Sequence, residues 1–480
     1  MKLIKIIGLG PGDPLHVSRK AWEILSSSDE VLLRTNLHPV AQALPSTVRV
    51  ESFDRFYTDI KEFGEIYDRI VRKVLELADK RDMVIYAVPG DPNVGESTVA
   101  LLRDEASRRG IQVDIIPGIS FIEPSLQLLE IDALDGLYVA DALWLAAGHH
   151  PSFSPDSPAL VAQIYSQSVA ADVKLTLMNQ YLDDHPAALL HHVGTEHSRV
   201  EKLVLHEIDH SEFIDGMTTL YLPPVETASS LESFQETVAH LRAPDGCPWD
   251  REQTHETLRK HILEEAYEVL QAIDNQDLDA LKEELGDLLL QIVLQAQIAT
   301  EAGAFRMTDI LEGINTKIVR RHPHVFGGIE ANGIDQVLHN WEALKAAERE
   351  ADGSAEGALD GIPAHLPALA QANEIQSRAE RVGFAWPALE QILKKIEEEY
   401  TEVQEAQDMD EKIAEMGDLF FALANYAHWL DIDSESALRG ANQRFQARFS
   451  RMENSIAAQG KNISEIALDE MERLWQDQKS

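Results

Sequence analysis

The sequence predicts a multidomain protein in which an N-terminal α/β domain precedes two all-α domains. Up to about residue 222, short apolar runs rich in β-branched residues alternate with helical stretches, as in a mixed α/β domain. Beyond residue 231 such runs nearly vanish and helical periodicity dominates. Two polar breaks, one from Pro223 to Ser230 and one at 349–363, divide the chain. The predicted domains are residues 1–222, 231–348 and 362–480.

Glycine loops follow several of the predicted strands in the first domain. The predicted strands are KLIKIIGLG, EVLLRT, DMVIYAVPG, VDIIPGIS, ALVAQIYS and TTLYLPP. Three of them lead into the loops GLGPGDP, PGDP at 89–92 and PGIS at 117–120. Loops at the carboxyl ends of parallel strands would line one crevice, where glycine lets the backbone approach a ligand; plain turns are the alternative. NAD(H) is not expected, because the third glycine of GLGPGDP comes one position early and EVLLRT ends without an acidic residue.

The helical region contains the same acidic hairpin twice, about 130 residues apart. Each copy carries five carboxylates: Glu264, Glu265, Glu268, Glu284 and Asp287 in the first, and Glu398, Glu399, Glu402, Glu415 and Asp418 in the second. Their spacing places each set on one face of two successive helices. A solvated surface is the alternative for one copy alone, but surface charge has no need to recur in register. All-oxygen ligands suit Mg²⁺, whose remaining ligand is usually phosphate. The sequence predicts a Mg²⁺ site in each copy, with Glu265 and Glu399 also as catalytic residues.

Aromatic and basic side chains flank both hairpins. The predicted substrate-binding residues are Trp249, Asn315, Lys317, Arg320 and Arg321 around the first copy and Asn442, Arg444 and Arg448 after the second. Basic groups beside carboxylates are expected where phosphate lies between them, since arginine binds phosphate oxygens in a bidentate manner. Salt bridges to the acidic surface are the alternative.

Composition limits the partners and the compartment. The chain has 82 acidic and 42 basic residues and a formal charge of −40, a field that repels the phosphate backbone of duplex nucleic acid. Cys247 is the only cysteine, so an internal disulfide is excluded. The first apolar run is too short for a signal peptide, and none reaches the ~18 residues of a membrane span. A cytoplasmic protein is predicted, with no membrane partner.

The helical region resembles the MazG family of nucleoside triphosphate pyrophosphohydrolases. The resemblance rests on CPWDREQTH, LEEAYE, EELGD and RRHPHVFG, and on the EExxE…ExxD signature in both copies, and it covers about 231–480. It implies an all-α homodimeric fold, Mg²⁺ dependence, and hydrolysis of a nucleoside triphosphate to a monophosphate and pyrophosphate, with nucleotide-pool housecleaning as an extension. In the second copy Lys395 replaces His261 and VGFAW replaces CPWD. The more complete flanks of the first copy favour it as the main catalyst.

Residues 1–222 resemble the tetrapyrrole (corrin and porphyrin) methylases. The resemblance rests on GLGPGDP, AVPGDP, PGIS, LTLMNQY and TTLYLPP. It implies a site for S-adenosylmethionine near Gly90, Asp91, Val94, Ile119 and Ser120, with Pro11, Gly12 and Asp13 on the acceptor side. The methyl acceptor is left open.

Three functions follow from these patterns. The leading hypothesis is a Mg²⁺-dependent nucleoside triphosphate pyrophosphohydrolase fused to a methylase-like domain. One alternative is an S-adenosylmethionine-dependent methyltransferase regulated by a nucleotide-sensing helical half. The other is a noncatalytic dimerisation scaffold, against which the ten retained acidic residues argue.

Overall fold

The computed structural model describes residues 2–59, 63–329 and 357–477, with a few further positions between 333 and 344. It forms two compact units, Met1–Ile310 and Leu311–Ser480. The predicted linker at 349–363 and the predicted boundary at 348 lie largely outside the described residues. Within the described ranges, no helix is both long enough and apolar enough to cross a membrane.

The chain begins with a parallel five-stranded sheet. Its strands are β1 (Leu3–Gly8), β2 (Glu30–Leu33), β3 (Arg49–Ser52), β4 (Met83–Val88) and β5 (Gln112–Ile116), in the order β3-β2-β4-β1-β5. Because side chains alternate along a strand, Ile4 and Ile6 of β1 join one buried cluster, and Ile7 joins another on the opposite face. Both faces are therefore covered, as a parallel sheet requires.

A second, mostly antiparallel sheet completes the α/β part. Its strands are β6 (Tyr138–Asp141), β7 (Ala159–Ala162), β8 (Pro186–His191), β9 (Arg199–Val204) and β10 (Thr218–Leu222), in the order β6-β7-β10-β8-β9. Only β6 and β7 of this sheet pair in parallel. All six predicted strands are present, as β1, β2, β4, β5, β7 and β10, whereas β3, β6, β8 and β9 were not predicted.

Helices alternate with these strands. They are α1 (Arg19–Ser26), α2 (Val40–Ala43), α3 (Asp54–Asp59), α4 (Phe63–Ala78), α5 (Ser97–Arg108), α6 (Ile122–Leu129), α7 (Ala142–Ala146) and α8 (Gln167–Leu177). α4 and α5 pack with Ile4 and Ile6, and α1 packs with Ile7. The α/β prediction for this part of the chain is confirmed.

From residue 231 onward the described structure is helical, as predicted. The first unit continues with α9 (Leu231–Arg242), α10 (Pro248–Arg251), α11 (Arg259–Asn275) and α12 (Leu278–Glu301). The division between the units falls within α13 (Met307–Arg321), which is followed by α14 (Pro323–Phe326), α15 (Ala368–Arg381), α16 (Leu389–Glu405), α17 (Met409–Trp429), α18 (Ser434–Ala458) and α19 (Leu468–Asp477).

Aspartate caps shape both acidic hairpins. Asp277 accepts hydrogen bonds from the backbone N–H groups of Asp279 and Ala280 and starts α12 directly after α11 ends. Asp408 accepts the N–H of Glu411 and starts α17 in the same way. These caps satisfy N–H groups that a helix start leaves unpaired, so each pair of helices is joined by a short turn.

Candidate functional site

The first acidic cluster lies on α11 and α12. α11 carries Glu264, Glu265 and Glu268, and α12 carries Glu284 and Asp287. Carboxylate oxygens of Glu265, Glu268 and Glu284 all lie within 4.8 Å of one another. Burial, followed by the charges of Asp287 and Glu268, raises the pKa of Glu265. Glu264 is not part of this trio, and its Oε2 lies 3.4 Å from His261 Nδ1. The cluster is thus an acidic site whose own charges oppose one another.

The second cluster lies on α16 and α17 and contains a buried acid. Its predicted ligands are Glu398, Glu399 and Glu402 on α16, and Glu415 and Asp418 on α17. Oxygens of Glu399, Glu415 and Asp418 lie within 4.8 Å of one another. Glu399 is 5% exposed, and its buried Oε2 has no hydrogen-bond partner among the described residues. Burial, then the charges of Glu399 and Glu415, raises the pKa of Glu402.

A lysine partly neutralises this second cluster. The Lys395 ammonium lies 2.7 Å from Glu398 Oε1 and 2.6 Å from Glu399 Oε1, and hydrogen bonding to these two carboxylates raises its pKa. The other oxygen of Glu399 remains unsatisfied, which is costly for a buried charge. An additional cation would relieve that cost. In both copies the donor set, carboxylate oxygens alone, fits a hard divalent cation such as Mg²⁺.

Among the predicted substrate-binding residues, only Trp249 is shown beside an acidic cluster. Trp249 is 58% exposed on α10, and its ring meets the His261 ring edge-on at 6.4 Å. Since His261 pairs with Glu264, Trp249 reaches the edge of the first cluster. The others lie on two helices: Asn315, Lys317, Arg320 and Arg321 on α13, and Asn442, Arg444 and Arg448 on α18. Their role in binding phosphate stays a prediction.

A pocket of about 800 Å³ opens at the carboxyl ends of the parallel strands. Of the eight predicted cofactor-site residues, Pro11, Gly90, Asp91, Val94 and Ser120 line it. Gly12, Asp13 and Ile119 are not part of its lining. The Asp13 carboxylate instead accepts the N–H of Leu15 at 2.8 Å and caps a short turn. The second sheet completes the wall with residues such as Gln163 and Thr218.

The glycine loops meet at this edge of the sheet, in agreement with the sequence expectation of one crevice. Gly10 and Gly90 exchange backbone hydrogen bonds of 3.2 and 2.8 Å. A Cβ on Gly8 would lie 2.6 Å from Gly118 N, and a Cβ on Gly118 would lie 2.4 Å from Gly90 O. Gly90 has a φ of 65°, which disfavours other residues. Glycine here permits backbone-to-backbone packing of three loops.

Sequence reasoning missed an ion pair in the wall of this pocket. Arg34 Nε lies 3.2 Å from Glu96 Oε1, and the side chains are 13% and 9% exposed. The guanidinium also lies over the rings of Tyr57 and Tyr67, at 4.9 and 5.1 Å from their centroids. Arg34, Tyr57 and Glu96 all line the pocket. Arg34 follows β2 at the same sheet edge as the glycine loops, and that position could have identified it.

Two family models match the chain. Residues 4–209 match the tetrapyrrole (corrin/porphyrin) methylases, and residues 253–326 match the MazG nucleotide pyrophosphohydrolase domain. The second match spans the first acidic cluster. A cobalt precorrin-4 methyltransferase of cobalamin biosynthesis has a solved structure that aligns with 46% of this chain and 95% of its own length, at 17% identity and a TM-score of 0.37.

Relatives match either the whole chain or its helical half. The chain is 45% identical to the nucleoside triphosphate pyrophosphohydrolase of Escherichia coli K12, over 52% of this chain and 97% of that protein. It is 43% identical to the nucleoside triphosphate pyrophosphohydrolase/pyrophosphatase MazG of Thermotoga maritima, over 51% and 95%. It is 36% identical to the uncharacterized protein YabN of Bacillus subtilis, over 99% of this chain and 98% of that one. The chain therefore belongs to the same family as YabN, and it joins a tetrapyrrole methylase domain to a MazG nucleotide pyrophosphohydrolase domain.

Proposed function

We propose that the helical half of the chain hydrolyses nucleoside triphosphates to monophosphates and pyrophosphate, with Mg²⁺ bound by the acidic clusters. The observation that carries this proposal is the unpaired, buried oxygen of Glu399 within three converging carboxylates. The names of the Escherichia coli and Thermotoga maritima relatives support the same reaction. Tandem MazG domains at 231–348 and 362–480, acting as a homodimer in the cytoplasm, complete the proposal.

The residues divide into metal-binding and proton-accepting groups. Glu265, Glu268 and Glu284 would hold the cation in the first copy, and Glu399, Glu415 and Asp418 would hold it in the second. A bound Mg²⁺ supplies charge neutralisation of the triphosphate and acidifies a coordinated water. A carboxylate left free of the metal accepts the proton of the attacking water.

A double substitution tests the assignment. Glu265→Gln with Glu399→Gln removes one ligand charge from each cluster and nearly preserves side-chain volume. Since metal assistance is worth several kcal/mol, pyrophosphate release should fall by more than about 100-fold. The matched control, Glu283→Gln with Glu397→Gln, makes the same charge change in the same two hairpins at two exposed acids outside the trios and should retain activity.

The assay is a nucleotide panel with Mg²⁺ in which pyrophosphate and orthophosphate are scored separately. Full pyrophosphate release by the Glu265→Gln, Glu399→Gln protein, or orthophosphate as the product of the wild type, would contradict the proposal. The panel also gives the base preference and tests the housecleaning role, which requires noncanonical triphosphates to be preferred.

For the α/β half we propose that the pocket binds S-adenosylmethionine. Five predicted cofactor residues line it, and packed glycine loops bring backbone groups to its wall. Calorimetric titration of S-adenosylmethionine and of NAD(H) tests this directly. Binding of NAD(H) with no binding of S-adenosylmethionine would refute the assignment.

A further inference from the structure

Three loops that line the α/β pocket meet at one backbone oxygen. The carbonyl oxygen of Gly10, in the first glycine loop, accepts the Gly90 N–H at 2.8 Å, and Nε2 of His38 lies 2.9 Å from the same oxygen. Pro11, Gly90 and residues 34–37, which directly precede His38, all line the pocket. His38 therefore joins the loop after β2 to the glycine loops that follow β1 and β4.

The His38 imidazole is neutral and carries its proton on Nε2. A carbonyl oxygen can only accept a hydrogen bond, so Nε2 must donate to Gly10. Nδ1 lies 3.4 Å from the Val40 N–H, a position that suits a lone pair and not a second proton. The ring is 6% exposed, and this burial lowers the pKa of His38 below its usual 6.5, against a smaller opposing effect of the bond to Gly10. At neutral pH the ring is thus an uncharged donor in a fixed orientation.

The first glycine loop is also held on its opposite side. The Asp13 N–H donates to the Gly194 carbonyl oxygen at 3.2 Å. A Cβ on Gly194 would lie only 2.5 Å from Cγ of Pro11, so the proline ring is closely packed against this glycine. With one side of the loop packed in this way, the hydrogen bonds at Gly10 fix its other side.

The bond from His38 is not needed to satisfy the Gly10 carbonyl oxygen. Without the imidazole donor, this oxygen would keep the Gly90 N–H, so no buried backbone group would lose its last partner. The fold should therefore depend little on this bond. What the bond adds is a link between residues 34–37 and the first glycine loop. A ligand that contacts both walls would have to fix their separation itself if the link were absent, and that ordering costs affinity.

We infer that His38 is a positioning residue of the S-adenosylmethionine site, which holds the loop after β2 and the first glycine loop at the separation that the cofactor requires. The inference rests on the proposed cofactor site. His38 is not among the residues that line the pocket, so it acts through the backbone of Gly10 and through the loop that precedes it.

Two amide substitutions separate the position of the donor from the polarity of the side chain. Glutamine places its NH₂ group where histidine carries Nε2, whereas asparagine reaches only the position of Nδ1. S-Adenosylhomocysteine is titrated calorimetrically into the full chain, and thermal unfolding is measured on the same proteins. His38→Asn should weaken binding roughly 3- to 10-fold, as expected for the loss of one hydrogen bond, and His38→Gln should stay within about twofold of the wild type.

His185 provides a matched control outside the pocket. It is also buried, its Nε2 lies 3.0 Å from the Pro223 carbonyl oxygen, and it is not part of the pocket lining. His185→Asn removes the same kind of contact from the same α/β part of the chain. It should leave the affinity for S-adenosylhomocysteine unchanged, whatever it does to thermal stability.

Unchanged affinity in His38→Asn, equal losses in His38→Asn and His38→Gln, or an equal loss in His185→Asn overturns the inference. Hydrogen exchange of the wild type gives a result that needs no variant. S-Adenosylhomocysteine should slow exchange at both 9–13 and 34–40, and protection of only one of these segments also overturns the inference. If the wild type does not bind S-adenosylhomocysteine, the cofactor proposal itself fails. Binding by the wild type together with any of the contrary results refutes the role of His38 alone.

Discussion

Asp156 ties the start of the helical half to the α/β half, and its replacement should loosen that junction. Its Oδ1 accepts the N–H of Ser229 at 2.8 Å, and its Oδ2 accepts the N–H and hydroxyl of Ser230 at 3.1 and 2.6 Å. The Ser233 hydroxyl also donates to Oδ2. Ser230 in turn caps α9. We expect Asp156→Asn, which removes the charge but little volume, to increase local opening at 229–233.

The size of the effect follows from the pKa of Asp156. Burial would raise this pKa, but hydrogen bonds from Ser230 and Ser233, then from the backbone of Ser229 and Ser230, lower it from 3.8 to about 2. A shift of nearly two units corresponds to roughly 2.5 kcal/mol at full strength. Solvent screening of this partly exposed carboxylate reduces the expected contribution to about 1–1.5 kcal/mol. Exchange of the 229–233 amides should then quicken roughly 5- to 12-fold.

Hydrogen exchange followed by mass spectrometry measures this local opening. The folded-state pKa is depressed, so the stabilisation is fully present above pH 3.8 and is lost as pH falls through about 2. About half of the difference between wild type and Asp156→Asn should remain at pH 3. Asp132→Asn is the matched control, because Asp132 caps only an exposed turn through the N–H of Leu134. Unchanged exchange at 229–233 in Asp156→Asn, or an equal change in the control, would refute the reasoning.

Three further outcomes are expected. Gly118→Ala should destabilise the α/β part by about 1–3 kcal/mol or more in thermal unfolding, because the new Cβ would lie 2.4 Å from Gly90 O. Gly64→Ala is the control and should be tolerated, because the space around Gly64 is open. Glu399→Gln alone should lower pyrophosphate release more than Glu265→Gln alone; steady-state rates in the reverse order would make the first copy the main catalyst. Burial and neighbouring acids raise the pKa of Glu265, so the folded protein keeps this proton at pH values where the unfolded chain has lost it. As pH rises from the unfolded-state pKa of Glu265 through its folded-state pKa, the stability of the metal-free protein should therefore fall. Over the same range the Mg²⁺ affinity measured by calorimetry should rise.

Most of the strands that the sequence revealed lie inside the sheets, with the edge strand β5 as an exception, while the interior strand β8 was missed. β1 and β4 are almost wholly buried, so their sequences are nearly continuous apolar runs that predict strands. β3 and β9, in contrast, are edge strands with charged residues, and β6 has an exposed edge. Such strands alternate weakly or carry charge, because one side of the ladder faces solvent. Their pairing is decided by neighbours far along the chain, which local pattern does not contain.

The same distinction separates the predictable part of each site from the rest. The arrangement of the carboxylates in each hairpin is set by local sequence, because residues four apart on a helix share one face. The repeat of the same spacing in the second copy made the pattern specific. The pocket wall is nonlocal. Arg34 and Glu96 are 62 residues apart and meet only because β2 and β4 are neighbours in the sheet. Tyr57 comes from α3, and nothing in its local sequence indicates that its ring lies against Arg34.

The two acidic clusters differ in a way that bears on catalysis. The sequence favours the first copy for its flanks, and the MazG family model matches that copy. In the second copy, however, Glu399 occupies the position that corresponds to Glu265, and its carboxylate is almost fully buried. One of its oxygens has no hydrogen-bond partner among the described residues, although the other is bound by Lys395. Desolvating a charge is unfavourable unless something binds it, so this arrangement fits the cation proposed for the site. In the first copy Glu265 and Glu284 are only half-buried and Glu268 is exposed, so the desolvation penalty there is smaller. We therefore expect the second copy to bind Mg²⁺ more tightly and to lose more when its glutamate is replaced.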